Sequence, residues 1–168
     1  FGVYPLRGKI LNVDDASAQK IADNKEITEL KKILGLQNGK VYKDKSETRY
    51  GRILAFVDQD TDGSHIKGLL FNLFYSLWPS LYKMEDFLVS LKTPLMKAFH
   101  TNGQVMQFYN LHEAESWIET KKKSATGLKG WTFKYYKGLG TSTSAEAKEY
   151  FKDLKLTKYK YSGKESDE

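Results

Sequence analysis

The order of apolar runs along this chain predicts an α/β fold with a largely parallel central sheet flanked by helices. Three observations carry that expectation. Ile53-Leu54-Ala55-Phe56-Val57 is a continuous apolar run of strand length, the pattern of a strand buried on both faces. An acidic turn and a helix-like stretch follow it directly. Strand candidates then alternate with helix candidates toward the C-terminus, as in sheets whose strands are joined by helical crossovers.

From the N-terminus, Pro5-Leu6-Arg7-Gly8-Lys9 reads as a turn feeding a short extended segment, Ile10 to Val13. Asp14 or Asp15 is placed to cap a short helix, Ala16 to Asp23. Ile27, Leu30, Ile33 and Leu34 recur at helical spacing, and Gly35 stops that second helix. The polar stretch 37–50 is expected at the surface. Arg52 to Val57 is the buried strand, 58–64 the acidic turn, and Lys67 to Leu77 a helix that ends before Pro79. Phe87 to Leu91 and Gln104 to Tyr109 are further strands, followed by a short helix around His112 to Glu119 and a solvated lysine-rich loop at Lys121 to Ser124. Trp131 to Tyr136 is a strand, Lys137 to Ser142 a glycine-rich loop, and Ser144 to Leu154 the last helix. No fixed-period repeat or low-complexity tract interrupts this order. The whole of 1–168 is therefore expected as one domain, with an acidic motif over 52–70, an insert over 100–130, and the glycine-rich loop with the last helix over 137–154.

Composition narrows the chemistry. With 168 residues, 40% hydrophobic and 14% aromatic, the chain can bury a core. The absence of cysteine excludes disulfides and thiolate zinc sites. The longest apolar stretches, Ile53 to Val57 and Gly68 to Phe74, are too short to span a bilayer. Phe1 to Lys9 lacks the order of a signal peptide and does not begin on methionine, as expected of a segment cut from a longer protein. The net charge of +6 suits a polyanionic partner, because neutralising phosphates releases counterions. A total of this size is common, so where the cations sit matters more.

Three carboxylates at alternate positions follow the buried strand, in Asp58-Gln59-Asp60-Thr61-Asp62-Gly63. In an extended or tightly turning segment this spacing brings alternate side chains together. Carboxylates that close repel, and a divalent cation relieves the repulsion. Oxygen-only donors favour Mg²⁺ over a soft-ligand metal. The plain structural alternative is a helix cap with Asp62 as N-cap, which accounts for one aspartate of the three. An EF-hand loop opens the same way, but its twelfth position here is Leu69 instead of a bidentate glutamate, and a strand precedes it.

Asp58-Gln59-Asp60-Thr61-Asp62-Gly63-Ser64-His65-Ile66-Lys67-Gly68-Leu69-Leu70 resembles the signature block of type IIA DNA topoisomerases of the eukaryotic type. Pro5-Leu6-Arg7-Gly8-Lys9-Ile10-Leu11-Asn12-Val13 and Tyr135-Tyr136-Lys137-Gly138-Leu139-Gly140-Thr141-Ser142-Thr143-Ser144 resemble two further blocks of that family, in the same order. Trp78-Pro79-Ser80-Leu81 is a fourth, shorter match. The resemblance covers nearly the whole chain. It implies a single TOPRIM (Rossmann-like) domain, with the acidic triplet at the C-terminal end of a buried strand, where open α/β sheets place their ligands. It also implies Asp58, Asp60 and Asp62 as the metal site.

The glycine loops carry the DNA-side expectations. Arg7-Gly8-Lys9 sets two cations around a glycine that lets backbone approach a ligand closely, although an ordinary surface turn has the same composition. In the family this segment lies against DNA near the scissile phosphate, so the resemblance implies Arg7, Gly8, Lys9 and Asn12 as DNA contacts. Residues 137–142 are neither a Walker P-loop nor a dinucleotide fingerprint, since Thr143 stands where the third glycine belongs. Thr143-Ser144-Ala145-Glu146 fits a capping box, and Lys137 with its glycines is a candidate to face a phosphate at that helix N-terminus. His65 reads as a solvent-facing or outer-sphere residue, and Ser64-His65 lacks the surroundings of a hydrolase elbow. The resemblance adds His65 and Lys67 as DNA-proximal residues. Trp78, Trp117 and Trp131 are expected in the core.

For function, the resemblance implies transient double-strand cleavage and strand passage by an ATP-dependent enzyme. A two-ion Mg²⁺ site is implied, with Asp58 sharing one ion with a glutamate of an E-G-D-S-A segment, Asp58 and Asp60 holding the second, and Asp62 supporting the cluster. That glutamate, the nucleophilic tyrosine of a winged-helix domain, and the ATPase domain all fall outside these 168 residues, so this segment alone is expected to be inactive. Double-stranded DNA, those two domains and a second copy of the parent are the expected partners, with no membrane. The expected location is the nucleus for a eukaryotic parent and otherwise intracellular, a viral parent included. Asp14 departs from the family, which usually has a basic residue there, and this removes one expected phosphate contact. Two other classes stay open. A TOPRIM primase or small nuclease shares the acidic motif but not the flanking blocks. A receiver-like, non-catalytic module that binds Mg²⁺ or phosphate draws its acids from separate strands.

Overall fold

The computed structural model describes residues 1–136 and 142–161. In chain order the elements are α1 (Ala18–Asp23), α2 (Lys25–Leu34), β1 (Ile53–Ala55), α3 (Thr61–Leu77), α4 (Pro79–Tyr82), β2 (Leu88–Leu91), β3 (Met96–His100), β4 (Val105–Phe108), α5 (Leu111–Lys122), β5 (Trp131–Tyr135), α6 (Ser144–Lys152) and β6 (Leu156–Lys158). They fall into two compact units. One comprises Phe1–Val57, Thr61–Ser90 and the chain from Leu156 onward, the other Asp58–Asp60 and Leu91–Lys155.

In the first unit, β1 and β2 run parallel in the register Ile53↔Leu88, Leu54↔Val89, Ala55↔Ser90, and β6 completes a sheet of order β1-β2-β6. All four residues of β2 are buried, as expected of a central strand covered on both faces. β1 is shorter than its apolar run, and Phe56 just beyond it is exposed. Leu73, Phe74, Trp78, Leu81 and Phe87 are at most 1% exposed and join Ile27 and Leu34 in one core. Each such large side chain contributes about 1.5–3 kcal/mol through burial. Pro79 opens α4 at a position that needs no N–H donor.

Ser17, not Asp14 or Asp15, caps the first helix, its hydroxyl accepting from the Lys20 N–H, so α1 starts at Ala18. The two aspartates accept from side chains instead. No strand forms over Ile10 to Val13, although Ile10 and Val13 are buried. α2 ends as expected, with Gly35 at φ 71 in the left-handed region. The stretch 37–50 is less superficial than its polarity suggests. Tyr42 is buried and its hydroxyl accepts from the Gln37 N–H at 2.8 Å, while Trp78 Nε1 donates to the Gln37 carbonyl at 2.9 Å.

In the second unit β3 is central, antiparallel both to β4 (Met96↔Phe108) and to β5 (Met96↔Tyr135), in the order β4-β3-β5. This corrects the largely parallel sheet, since among the described strand registers β1–β2 alone is parallel. The physical reason is chain length: the four residues between His100 and Val105 permit a hairpin but no parallel crossover. One face of β3 packs Met96 and Ala98 with Phe108, Ala114, Trp117 and Trp131. Trp117 and Trp131 meet edge to face at 4.7 Å, and these two with Trp78 take the structural place expected of them. Asn110 caps α5, accepting from the Glu113 N–H at 2.8 Å, and the helix takes in Lys121 and Lys122, which the sequence alone places in a loop. No helix among the described residues is long and apolar enough to cross a membrane.

Candidate functional site

Strand β1 ends at Ala55, and the acidic residues follow within a few positions. The turn is shorter than expected. α3 begins at Thr61, six residues before Lys67, and takes Asp62, Ser64 and His65 into its first turns. An aspartate in the first turn of a helix complements the partial positive charge of the free N–H groups there, which favours this early start.

Asp62 belongs to the first unit and forms an ion pair with Lys9, Nζ to Oδ1 3.1 Å, with the side chains 51% and 76% exposed respectively. A pair this open to solvent adds little stability. Its consequence is placement, because it brings the 7–9 loop to the first turn of α3. Gly8 makes the loop possible, since its φ of 92 is a conformation that side chains rarely tolerate. Arg7 and Lys9 are both exposed. On α3, His65 is exposed and Lys67 half-buried.

Asn12 is engaged within the protein. Its Nδ2 donates to Asp15 at 2.8 Å, and its Oδ1 accepts from Asn72 at 3.3 Å. Asp14 accepts from Asn72 at 2.9 Å and from the Ser76 hydroxyl at 3.2 Å. The unexpected acid at position 14 thus fastens the 12–15 turn to α3. Sequence reading missed that role, because both donors lie on a helix far along the chain.

Asp58, Gln59 and Asp60 belong to the second unit. Gln59 Nε2 donates to the carbonyl of Leu91, the first residue of the long segment of the same unit, at 3.2 Å. Among the described residues no three His, Cys, Asp or Glu side chains form a group able to hold a metal. Lys137 and the glycines after it lie outside the described residues.

The capping box at the head of α6 is present in both directions. The Thr143 hydroxyl accepts from the Glu146 N–H at 3.2 Å, and the Glu146 carboxylate accepts from the Thr143 N–H at 2.8 Å. The same carboxylate also accepts from the Tyr136 hydroxyl and from Lys134 Nζ at 3.0 Å. Burial, followed by the bond and charge of Glu146, drives the Tyr136 hydroxyl far above the ordinary phenol value, so it stays protonated. Lys97, in the middle of β3, is buried against Glu149 at 3.3 Å. Neither partnership is visible in sequence. The one signal for Lys97 is a lysine inside the run Leu95-Met96-Lys97-Ala98-Phe99, which reads as a strand once that lysine is allowed to point away from the apolar face.

Comparison with known proteins adds independent findings. The family model for the C-terminal associated domain of TOPRIM matches residues 91–168, from the residue where the long segment of the second unit begins. The DNA topoisomerase 2 of Acanthamoeba polyphaga mimivirus is 55% identical over 161 residues, which is 95% of this chain and 13% of that protein. The DNA topoisomerase 2 of Pisum sativum is 53% identical over 92% of this chain and 10% of its own length. The human DNA topoisomerase 2-alpha is 52% identical over 99% of this chain and 11% of its own length. The crystal structure of the Plasmodium falciparum topoisomerase II DNA-binding, cleavage and re-ligation domain superposes with a TM-score of 0.87 at 44% identity, covering 95% of this chain and 22% of that one. The chain therefore spans about a tenth of the length of the curated relatives it matches.

Proposed function

This chain belongs to the DNA topoisomerase 2 family, and from that premise we propose that it forms the Mg²⁺-binding part of the DNA cleavage and re-ligation centre of an ATP-dependent type IIA enzyme. The observation that carries the reading is the acidic triplet issuing from the end of β1, with its last member in the first turn of α3. Supporting it over a primase, a nuclease or a receiver-like module is the identity of about half the residues with topoisomerase 2 along nearly the whole chain, flanking blocks included.

The donors suit Mg²⁺. Asp58 and Asp60 supply hard oxygens two residues apart, and Mg²⁺ is commonly held by one or two carboxylates, its other ligands being water and substrate phosphate. Under this reading Asp58 serves both ions of a two-ion site, Asp60 one of them, and Asp62 supports the cluster without being a principal ligand. Bound Mg²⁺ would stabilise charge on the attacking and leaving oxygens of the phosphate.

The other residues bind and orient DNA. Arg7 and Lys9 hold phosphates without reading sequence, and Gly8 lets backbone come close. Lys9 is able to exchange its exposed pairing with Asp62 for a phosphate at little cost. Asn12, His65, Lys67 and Lys137 complete the proposed DNA-facing set. Partners under this reading are double-stranded DNA, the tyrosine-bearing winged-helix domain and the ATPase domain of the parent, and a second parent copy. The location is the nucleus for a eukaryotic parent and otherwise intracellular, a viral parent included.

The test is a Mg²⁺ titration of DNA cleavage by the full-length enzyme. Asp62→Asn should cost about tenfold, the usual loss for a residue supporting metal ligands, and Asp58→Asn clearly more than about 100-fold. Equal damage from both would refute the division of roles, and two silent variants would refute the metal assignment.

A further inference from the structure

Lys92 and Lys155 border a cavity that belongs wholly to the second unit. The Lys92 N–H donates to the Lys155 carbonyl at 2.7 Å, which sets the two residues side by side. Their ammoniums converge on one ring: Lys92 Nζ lies 4.9 Å and Lys155 Nζ 5.1 Å from the centre of Tyr109. The Tyr109 hydroxyl donates to Gln107 Oε1 at 3.0 Å, which steadies the ring. Lys92, Gln107, Tyr109, Glu149, Asp153 and Lys155 all line the cavity.

Two positive charges gathered at one ring repel, and the attraction of each to the ring is small where water reaches it. Among the described residues no ion pair joins either lysine to a carboxylate. Of the two carboxylates on the wall, Glu149 is taken by Lys97 at 3.3 Å. The Lys155 ammonium is held above the ordinary lysine value first by its hydrogen bond with the Tyr109 hydroxyl and last by the charge of Asp153. Lys92, Lys97 and Lys155 set against Glu149 and Asp153 leave one positive charge over, which a single anion balances. Size narrows the choice of anion. At roughly 10–15 Å³ for one water-sized group, the cavity of about 60 Å³ holds about four or five such groups, as in one phosphate, and falls far short of the roughly 300–1,000 Å³ of a cofactor pocket.

We propose that this cavity is a subsite for one phosphate-sized oxyanion, held by the ammoniums of Lys92 and Lys155 beside Tyr109. Lysines grip a phosphate as point charges and read no base. The subsite shares no residue with the acidic triplet or the 7–9 loop, so it does not rest on the metal reading. The same chemistry serves a phosphodiester of the DNA backbone and free inorganic phosphate, two sources that salt dependence separates.

Inorganic phosphate is titrated at constant ionic strength into the 168-residue chain, whose two units each hold a core of their own, and followed by amide NMR. Lys92→Gln and Lys155→Gln are measured beside it. Both lysines are exposed, so neither change removes a core side chain. The amides around Lys92, Tyr109 and Lys155 should shift saturably, with about millimolar affinity. Each variant should bind about tenfold more weakly, the usual loss for one charge-assisted hydrogen bond. Thermal stability without phosphate should be unchanged, whereas a merely structural role for the lysines would lower it. The source is then read from DNA affinity of the full-length enzyme at several salt concentrations. If DNA supplies the phosphate, Lys155→Gln makes the salt dependence shallower by about 0.9, the increment for one phosphate contact on duplex DNA. If free phosphate is the ligand, that slope stays as it is while phosphate binding is lost. Shifts that do not saturate, that keep the same affinity in both variants, or that centre on Arg7 and Lys9 overturn the inference.

Discussion

Glu146→Gln keeps the size of a side chain that gathers donors from Tyr136, Lys134 and Thr143, and removes its charge. Burial by itself pushes this carboxyl up. The bonds from the Tyr136 hydroxyl, the Thr143 N–H and Lys134 outweigh it and hold the group at about 2, against an ordinary 4.5. At about 1.4 kcal/mol per tenfold, that fall is worth at most about 3.5 kcal/mol. Solvent around Lys134, whose side chain is 37% exposed, reduces the figure to about 1–2 kcal/mol. The folded-state value lies below the unfolded one, so the stabilisation is complete above pH 4.5 and fades as the pH falls through about 2. In urea unfolding of the 168-residue chain, the glutamine variant should be less stable by about 1–2 kcal/mol near pH 7, and by less than about half of that near pH 2.5. A gap that is absent near neutrality, or equally large at both pH values, would refute the reasoning.

Arg7→Ala in the full-length enzyme should weaken DNA binding and make its salt dependence shallower by about 0.9, with the Mg²⁺ midpoint of cleavage unchanged; an unaltered slope would return Arg7 to an ordinary turn residue. Gly35→Ala should cost about 1 kcal/mol in chemical denaturation, because φ 71 strains any side chain even though the nearest heavy atom to an added Cβ is 3.8 Å away; a neutral result would show that the end of α2 relaxes freely. Mg²⁺ added to the 168-residue chain should shift the amides of Asp58 to Ser64 first, with about millimolar affinity as expected for a site of few ligands. Shifts greatest at Glu113 or Glu115 would place the ion elsewhere.

Features set by a few neighbouring residues could be read directly from the sequence. The glycine that ends α2, the Thr143–Glu146 box that opens α6 and the apolar run that contains β1 all depend on local chemistry, and all are present. Features decided by distant partners could not be read this way. Asp62-Gly63-Ser64 has turn composition, yet α3 starts at Thr61 and Asp62 meets Lys9 from the other end of its unit. Strand β3 is hidden by a lysine whose counter-charge lies 52 residues on, and β6 by its brevity. The candidate site divides the same way. Its chemistry is legible as alternate carboxylates and cations around a glycine. That Asn12 and Asp14 are spent on internal bonds to α3 follows only from the folded chain.

Strand β6 is synthesised long after the strand it pairs with. It begins at Leu156, 65 residues after β2 ends at Leu91. A ribosome adding about 5–20 residues per second takes roughly 3–13 s to cover that distance. Throughout that time Leu88-Val89-Ser90-Leu91, a strand whose every residue ends up buried, has one row of N–H and C=O groups with no neighbour. The nascent protein thus passes through an interval of stickiness that closes only when Leu156 to Lys158 emerges. A stalled or truncated product that stops short of Leu156 would remain in that state, with an open sheet edge and a strong tendency to aggregate.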